Sequence, residues 1–143
     1  MIGLTEEYIA FTKERIEKLA IQSIIKYAQQ TYPNEACGFI LENGVVHPAI
    51  NVVESLLNKS LTSRNAFLID AASWNTAANQ QSPITAIFHS HTNGDPNMSS
   101  ADMTFLRWKN YVYVVLGLID TNPVAAKLFW WQDSELKEAT LNL

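Results

Sequence analysis

The sequence predicts an α/β sandwich built around a mixed β-sheet, and three observations carry that expectation. Residues 5–31 place apolar side chains at helical spacing with charges between them. The segment ACGFILENGVVHPAINV sets two apolar runs on either side of Asn43-Gly44, the composition of a hairpin. From residue 66 onward, short apolar runs alternate with helix-like stretches, the pattern of strands in a sheet with helices laid over it.

Each element follows from local chemistry. In the first helix Ile9, Ile16, Leu19, Ile24 and Tyr27 form the apolar stripe, Thr5 suits the N-cap, and Pro33 stops the helix soon after its end. After the hairpin, AFLID reads as a short strand and AASWNTAANQ as a helix. ITAIF is apolar at nearly every position, as in a strand covered on both faces. SADMTFLRWKN reads as a helix, and YVYVVLGLI and AAKLFWWQ as further strands. No repeat or linker interrupts the 143 residues, so a single domain is expected, with a helical segment over 1–31 and a sheet core over 32–143.

Composition narrows the function classes. The chain is 48% hydrophobic and 17% charged, values of a globular protein with a core of its own. Its net charge of -4 argues against a sequence-independent grip on nucleic acid or on an anionic membrane surface. The lone Cys37 has no partner for a disulfide, no apolar run reaches the roughly 20 residues of a membrane span, and Glu6 and Glu7 do not fit a signal peptide. A soluble cytoplasmic protein is the expectation.

The stretch AIFHSHTNGDPNMSSAD, residues 86–102, holds two of the three histidines. On a strand, Thr85, Ile87, His89 and His91 point one way, and Ala86, Phe88 and Ser90 the other. Both imidazoles therefore face one side about 7 Å apart at the backbone, close enough for two rings to converge on one ion. An H-x-H pair alone is a weak signal, because a single half-buried histidine is the commoner arrangement. The turn-rich loop TNGDPNMSS then reverses the chain, and Ser99 begins a helix.

Ser99-x-x-Asp102 has the form of a capping box, and Asp102 suits the positive end of the helix dipole. The same aspartate could turn toward the imidazoles as a third ligand, leaving the open position of a hydrolytic zinc site. Asp95 is a rival ligand, although an Asp-Pro inside a turn more often shapes its loop. Such a site needs a base, and Glu35, at the entry of the first strand, is the best candidate in a position where a solvated glutamate is commoner.

His89-x-His91, seven residues, Ser99, two residues, Asp102 resembles without a gap the signature of JAMM (MPN-type) metallopeptidases, and EACGF resembles the usual setting of that family's glutamate. YPNEACGFIL, INVVE, AFLID and ITAIFHSH are similar in order and spacing to the prokaryotic and phage branch, that of tail assembly protein K. The likeness spans roughly residues 30–132. The resemblance implies a three-layer, cytidine-deaminase-like α/β/α sandwich. It implies Zn²⁺ held by His89, His91 and Asp102, Glu35 as general base and later acid, and Ser99 as a donor to the oxyanion. It implies a protein or peptide substrate, with phage tail proteins as partners and, for a phage-encoded chain, the host cytoplasm or the virion as its place. Thr92 departs from the proline common after the second histidine in phage relatives. Eukaryotic relatives hold ubiquitin with inserted segments; only ESLLNKSLTSRN lies between the second and third expected strands, so no such platform is legible.

Other features point to packing. Cys37 sits in an apolar strand without a neighbouring histidine, and His47 precedes a proline in the hairpin. Trp130 and Trp131 alternate faces, so one is expected in the core and the other at a partner surface; Trp108 is expected to pack. No H-E-x-x-H, P-C-x-x-C or glycine-rich phosphate loop occurs. Two functional readings follow: a zinc-dependent peptidase or isopeptidase, and a catalytically silent assembly protein that keeps the metal site. The complete residue set favours the first, because a decaying site usually loses a ligand or its base.

Overall fold

The computed structural model describes residues 4–105 and 110–143, so Trp108 lies outside the described residues. The N-terminal segment is α1 (Glu6–Arg15), a π-helical turn (Ile16–Ala20) and α2 (Ile21–Thr31). Thr5 caps it, its hydroxyl accepting the Tyr8 N–H at 3.1 Å. The π-helical turn holds more residues per turn than an α-helix and so rotates the apolar stripe. Ile16, Ala20, Ile21, Ile24 and Ala28 are buried, while Leu19, expected on that stripe, is 55% exposed. Full burial of an isoleucine such as Ile24 contributes about 1.5–3 kcal/mol, and this apolar face holds the helices on the sheet.

Six strands form one mixed sheet in the order β2-β1-β3-β4-β5-β6. They are β1 (Cys37–Leu41), β2 (Val46–Ala49), β3 (Ile84–His91), β4 (Val112–Ile119), β5 (Asn122–Gln132) and β6 (Glu135–Leu141). All neighbours pair antiparallel except β3 and β4, which run parallel. Two further helices are α3 (Ala71–Ala78) and α4 (Ser100–Phe105). A parallel pair demands a crossover, and the β3–β4 crossover carries α4 back beside the carboxyl end of β3.

The sheet separates two cores. One contains Ile16, Ile24, Ile40, Phe88, Val114 and Leu128, under α1 and α2. The other contains Cys37, Phe39, Ile87, Val115 and Phe129, under Phe67, Ile69 and Ala77. This is the layered α/β arrangement expected, and β3 and β4 are buried along nearly their whole length.

Four local expectations need correction. AFLID makes no sheet strand; it contributes one isolated bridge, Asn51 to Ile69, and packs as an irregular segment with Ala66, Phe67 and Ile69 buried. β6 carries no apolar run and was not expected. It pairs with β5 through Asp133 and Ser134, whose φ values of 51° and 67° suit a tight hairpin turn of the I′ kind. Thr85 does not share the face of Ile87: the register slips opposite Ile40/Leu41, and the Thr85 hydroxyl meets that of Tyr8 on α1 at 2.6 Å. Trp130 and Trp131 occupy consecutive positions of β5, yet both are half-buried, so neither is a core residue nor a free surface one. No helix among the described residues is long and apolar enough to cross a membrane.

Candidate metal centre

At the carboxyl end of β3, the alternation that begins at Ala86 turns His89 and His91 to the face opposite α1 and α2. Their Nε2 atoms lie 3.2 Å apart. Asp102, in the first turn of α4, brings Oδ2 to 3.0 Å from His89 Nε2 and 2.8 Å from His91 Nε2. Tetrahedral ligands about 2.05 Å from an ion stand about 3.3 Å apart, so this triangle needs only a slight opening to hold one. Glu35, in the segment before β1, completes the group. One ligand atom from each of Glu35, His89, His91 and Asp102 lies within 4.8 Å of the others, and all four residues are buried.

Neighbouring groups orient these side chains. His91 Nδ1 lies 2.6 Å from the Asp95 carbonyl, and donation to that oxygen leaves Nε2 free to bind an ion. The His89 ring stacks on Phe67 with centroids 4.3 Å apart. Asp102 Oδ2 also accepts the Ser99 N–H at 2.9 Å, and Ser99 Oγ accepts the Asp102 N–H at 3.1 Å. The capping box and the ligand therefore use one oxygen together. Ser99 caps with a lone pair, which leaves its hydroxyl proton to donate elsewhere. Asp95 acts on its own loop: its carboxylate accepts from the backbone and side-chain amides of Asn97 at 2.9 and 2.8 Å.

Electrostatics mark a place for a cation. Burial pushes the Glu35 carboxyl up to about 8; the His91 charge lowers it and Asp102 raises it further. Burial alone would lower His91, but hydrogen bonding and charge from Asp102, with help from Glu35 and the Asp95 carbonyl, push it up to about 9. Burial holds His89 below its ordinary value despite Asp102. Asp102 is itself held far below the carboxylate range: burial would raise it, and the two imidazoles and the Ser99 N–H outweigh that. Glu35 Oε1, Asp102 Oδ1 and His89 Nδ1 remain buried with no hydrogen-bond partner, a cost that protein sites seldom carry without a ligand. Two imidazole nitrogens and carboxylate oxygen form a donor set suited to a divalent metal ion.

The cluster opens to a cleft of about 380 Å³, floored by Glu35, His91 and Ser99 and walled by Arg64, Asn65, Thr92, Asn93 and Asn97. The structure thus brings together Glu35, His89, His91 and Asp102 in the cluster with Ser99 at its mouth, whereas the carboxylate of Asp95, the rival ligand, stays with Asn97. The Asp95 carbonyl, Phe67 and the cleft walls were not singled out. A backbone carbonyl has no side-chain signature, and Phe67 sits in a segment whose β-branched and aromatic content reads as a strand. Cys37 is buried, and that burial, with Asp70 and Glu35, pushes its thiol up to about 12, so it is a packing residue.

Fold and cluster together define an α/β domain with a buried group of two histidines and two carboxyls, able to hold a metal ion, at the end of a central strand. The family model described as prokaryotic homologs of the JAB domain matches residues 17–132, and the chain belongs to that family. Among solved structures, a protein from Desulfitobacterium hafniense superposes with a TM-score of 0.68 at 22% identity, over 87% of this chain and 88% of the other. A protein from Salinibacter ruber gives 0.55 at 19% identity, over 84% of each chain. These likenesses concern the fold. No curated protein matches the chain.

Proposed function

We propose that the protein is a zinc-dependent metallopeptidase or isopeptidase that hydrolyses an amide bond in a protein or peptide. The observation that carries this reading is a buried carboxyl, Glu35, with Oε1 unpartnered, in the same group as the converging atoms of His89, His91 and Asp102. A structural site closes all its ligand positions, whereas this one offers three converging atoms, an adjacent acid and a cleft. Zinc bound there would make a water nucleophilic at neutral pH and polarise the substrate carbonyl.

The residues then divide the work. His89, His91 and Asp102 would hold the ion. The Asp95 carbonyl keeps the His91 ring in the tautomer that presents Nε2. Glu35, whose ionised form a cation in the cluster would favour, takes a proton from the attacking water and delivers it to the leaving amine. Ser99 donates its spare hydroxyl proton to the oxygen on which charge develops. The setting within this reading is phage tail assembly, supported by the sequence resemblance over residues 30–132.

Metal content of chelator-free protein, beside that of His91→Ala, tests the site. About one zinc per chain, absent in the variant, supports it; no metal in either refutes it. Cleavage of a quenched-fluorescent peptide library by the wild type, lost in a zinc-loaded Glu35→Gln variant, supports hydrolysis. Zinc without cleavage of any protein or peptide supports instead the silent assembly protein.

A further inference from the structure

We infer that the Ser90 hydroxyl, between the two histidines, is the positioning group that sets Glu35 opposite the metal ligands. Alternation along β3 sends Ser90 to the face away from His89 and His91, where it is completely buried. A hydroxyl there needs a partner. Its Oγ accepts the Ala36 N–H at 2.8 Å, while the Ser90 N–H donates to the Ala36 carbonyl at 3.0 Å.

The β1–β3 ladder pairs Cys37 with His89. One further rung would place Ala36 opposite Ser90, and a second would place Glu35 opposite His91. In an ordinary antiparallel rung a backbone carbonyl would accept the Ala36 N–H; here the serine side chain takes that place. The hydroxyl thus extends the register by one residue beyond the paired strand. Beyond that rung the chain leaves the ladder. The Glu35 N–H donates to the Ser63 carbonyl at 2.6 Å, and the Asn51 side-chain amide donates to the Glu35 carbonyl at 3.2 Å. Without the Ser90 oxygen, Ala36 keeps one bond and a buried N–H without a partner, and the segment carrying Glu35 is free to move away from the cluster. The consequence for turnover rests on the reading of Glu35 as the base; the geometric role does not.

The test uses Co²⁺ as a paramagnetic ion in the wild type, Ser90→Ala and Ser90→Thr. Ser90→Ala is expected to bind Co²⁺ as the wild type does. Its Ala36 amide should exchange about tenfold faster, and the paramagnetic relaxation at the Glu35 carboxyl carbon should weaken as the carboxyl moves away. Threonine, which keeps the acceptor, should restore both. On whichever library peptide the wild type cleaves, the alanine variant should lose about 10- to 100-fold in kcat with KM unchanged, and threonine should recover it. Wild-type exchange and relaxation in Ser90→Ala would overturn the inference. Should Ser90→Ala fail to fold, Ser90→Cys, similar in size with a weaker acceptor, should show the same changes in smaller measure; wild-type values there would overturn it equally. A wild type that cleaves nothing, with both Co²⁺ readouts changed in Ser90→Ala, removes the hydrolytic reading and leaves the positioning role standing.

Discussion

Glu35 buries a carboxyl beside Asp102 with one oxygen unpartnered, and this makes the metal-free protein sensitive to pH. Its value in the fold, about 8, lies above the ordinary 4.5, so the native state holds the proton more tightly than the unfolded chain. The stability contributed by the neutral acid is complete below pH 4.5 and is lost as pH rises through about 8. Metal-free Glu35→Gln, always neutral, should gain on the wild type across that window, by on the order of a few kcal/mol at pH 9. Denaturant unfolding of both proteins at pH 5, 7 and 9 measures it; a constant difference would contradict the burial of an ionisable Glu35. With zinc bound, the same substitution should keep the metal and lower hydrolysis by roughly 10²- to 10⁴-fold, read as turnover at equal zinc occupancy. Removing a ligand acts differently: His89→Ala should lose tight zinc binding, and a dissociation constant equal to that of the wild type would refute the assignment.

At the scale of elements, β4 meets the loop after β3 closely. Gly117 pairs with His91, and a side-chain carbon there would collide with the backbone of Gly94. Gly94, at φ 81°, in turn packs against Ile119 and Val124. The contact at Gly117 is with backbone and cannot yield by a side-chain rotation, so Gly117→Ala should destabilise the fold by on the order of 2 kcal/mol. It should also weaken metal binding by shifting the loop whose Asp95 carbonyl orients His91. Thermal unfolding and zinc competition measure the two effects, and an unchanged variant would show that the loop has slack. The elements also show what local pattern can and cannot specify. β3 and β4 are legible because burial on both faces demands continuous apolar residues. β6 is an edge strand whose Glu135, Lys137 and Glu138 face water, so it has no apolar run to read. AFLID has the composition of a strand, but a strand also needs a neighbour with free backbone groups, which no local pattern can report. Leu19 fits a regular helix stripe and is displaced by the π-helical turn.

At the scale of the whole molecule, the cluster draws its ligands from the end of β3, the start of α4 and the approach to β1, so binding an ion ties these segments together. The unfolded chain offers no such preformed group, and binding is therefore linked to folding. At free zinc 100 times the dissociation constant, stability should rise by about 2.7 kcal/mol, which raises Tm by roughly 10 °C for a domain of this size. A chelator should reverse the gain, and His91→Ala should show none. Calorimetry with and without zinc decides it; equal Tm values would mean that the ion is not part of the folded structure.

The spacing from His89 to Asp102 was legible in the sequence because its parts are close along the chain: a strand's alternation, a turn-rich loop and a helix start. Family membership could likewise be read from that spacing and the neighbouring segments. The convergence of Glu35 on the cluster was decided by the tertiary structure. It depends on the pairing of β1 with β3 and on the Ala36–Ser90 rung, which joins residues 54 apart in the chain. The Asp95 carbonyl, the Phe67 ring against His89, the shared oxygen of Asp102 and the altered proton affinities belong to the same category. Local sequence sets what each residue can offer. Burial and long-range pairing set which offers meet, since desolvation and convergence arise only when distant segments exclude water from one another.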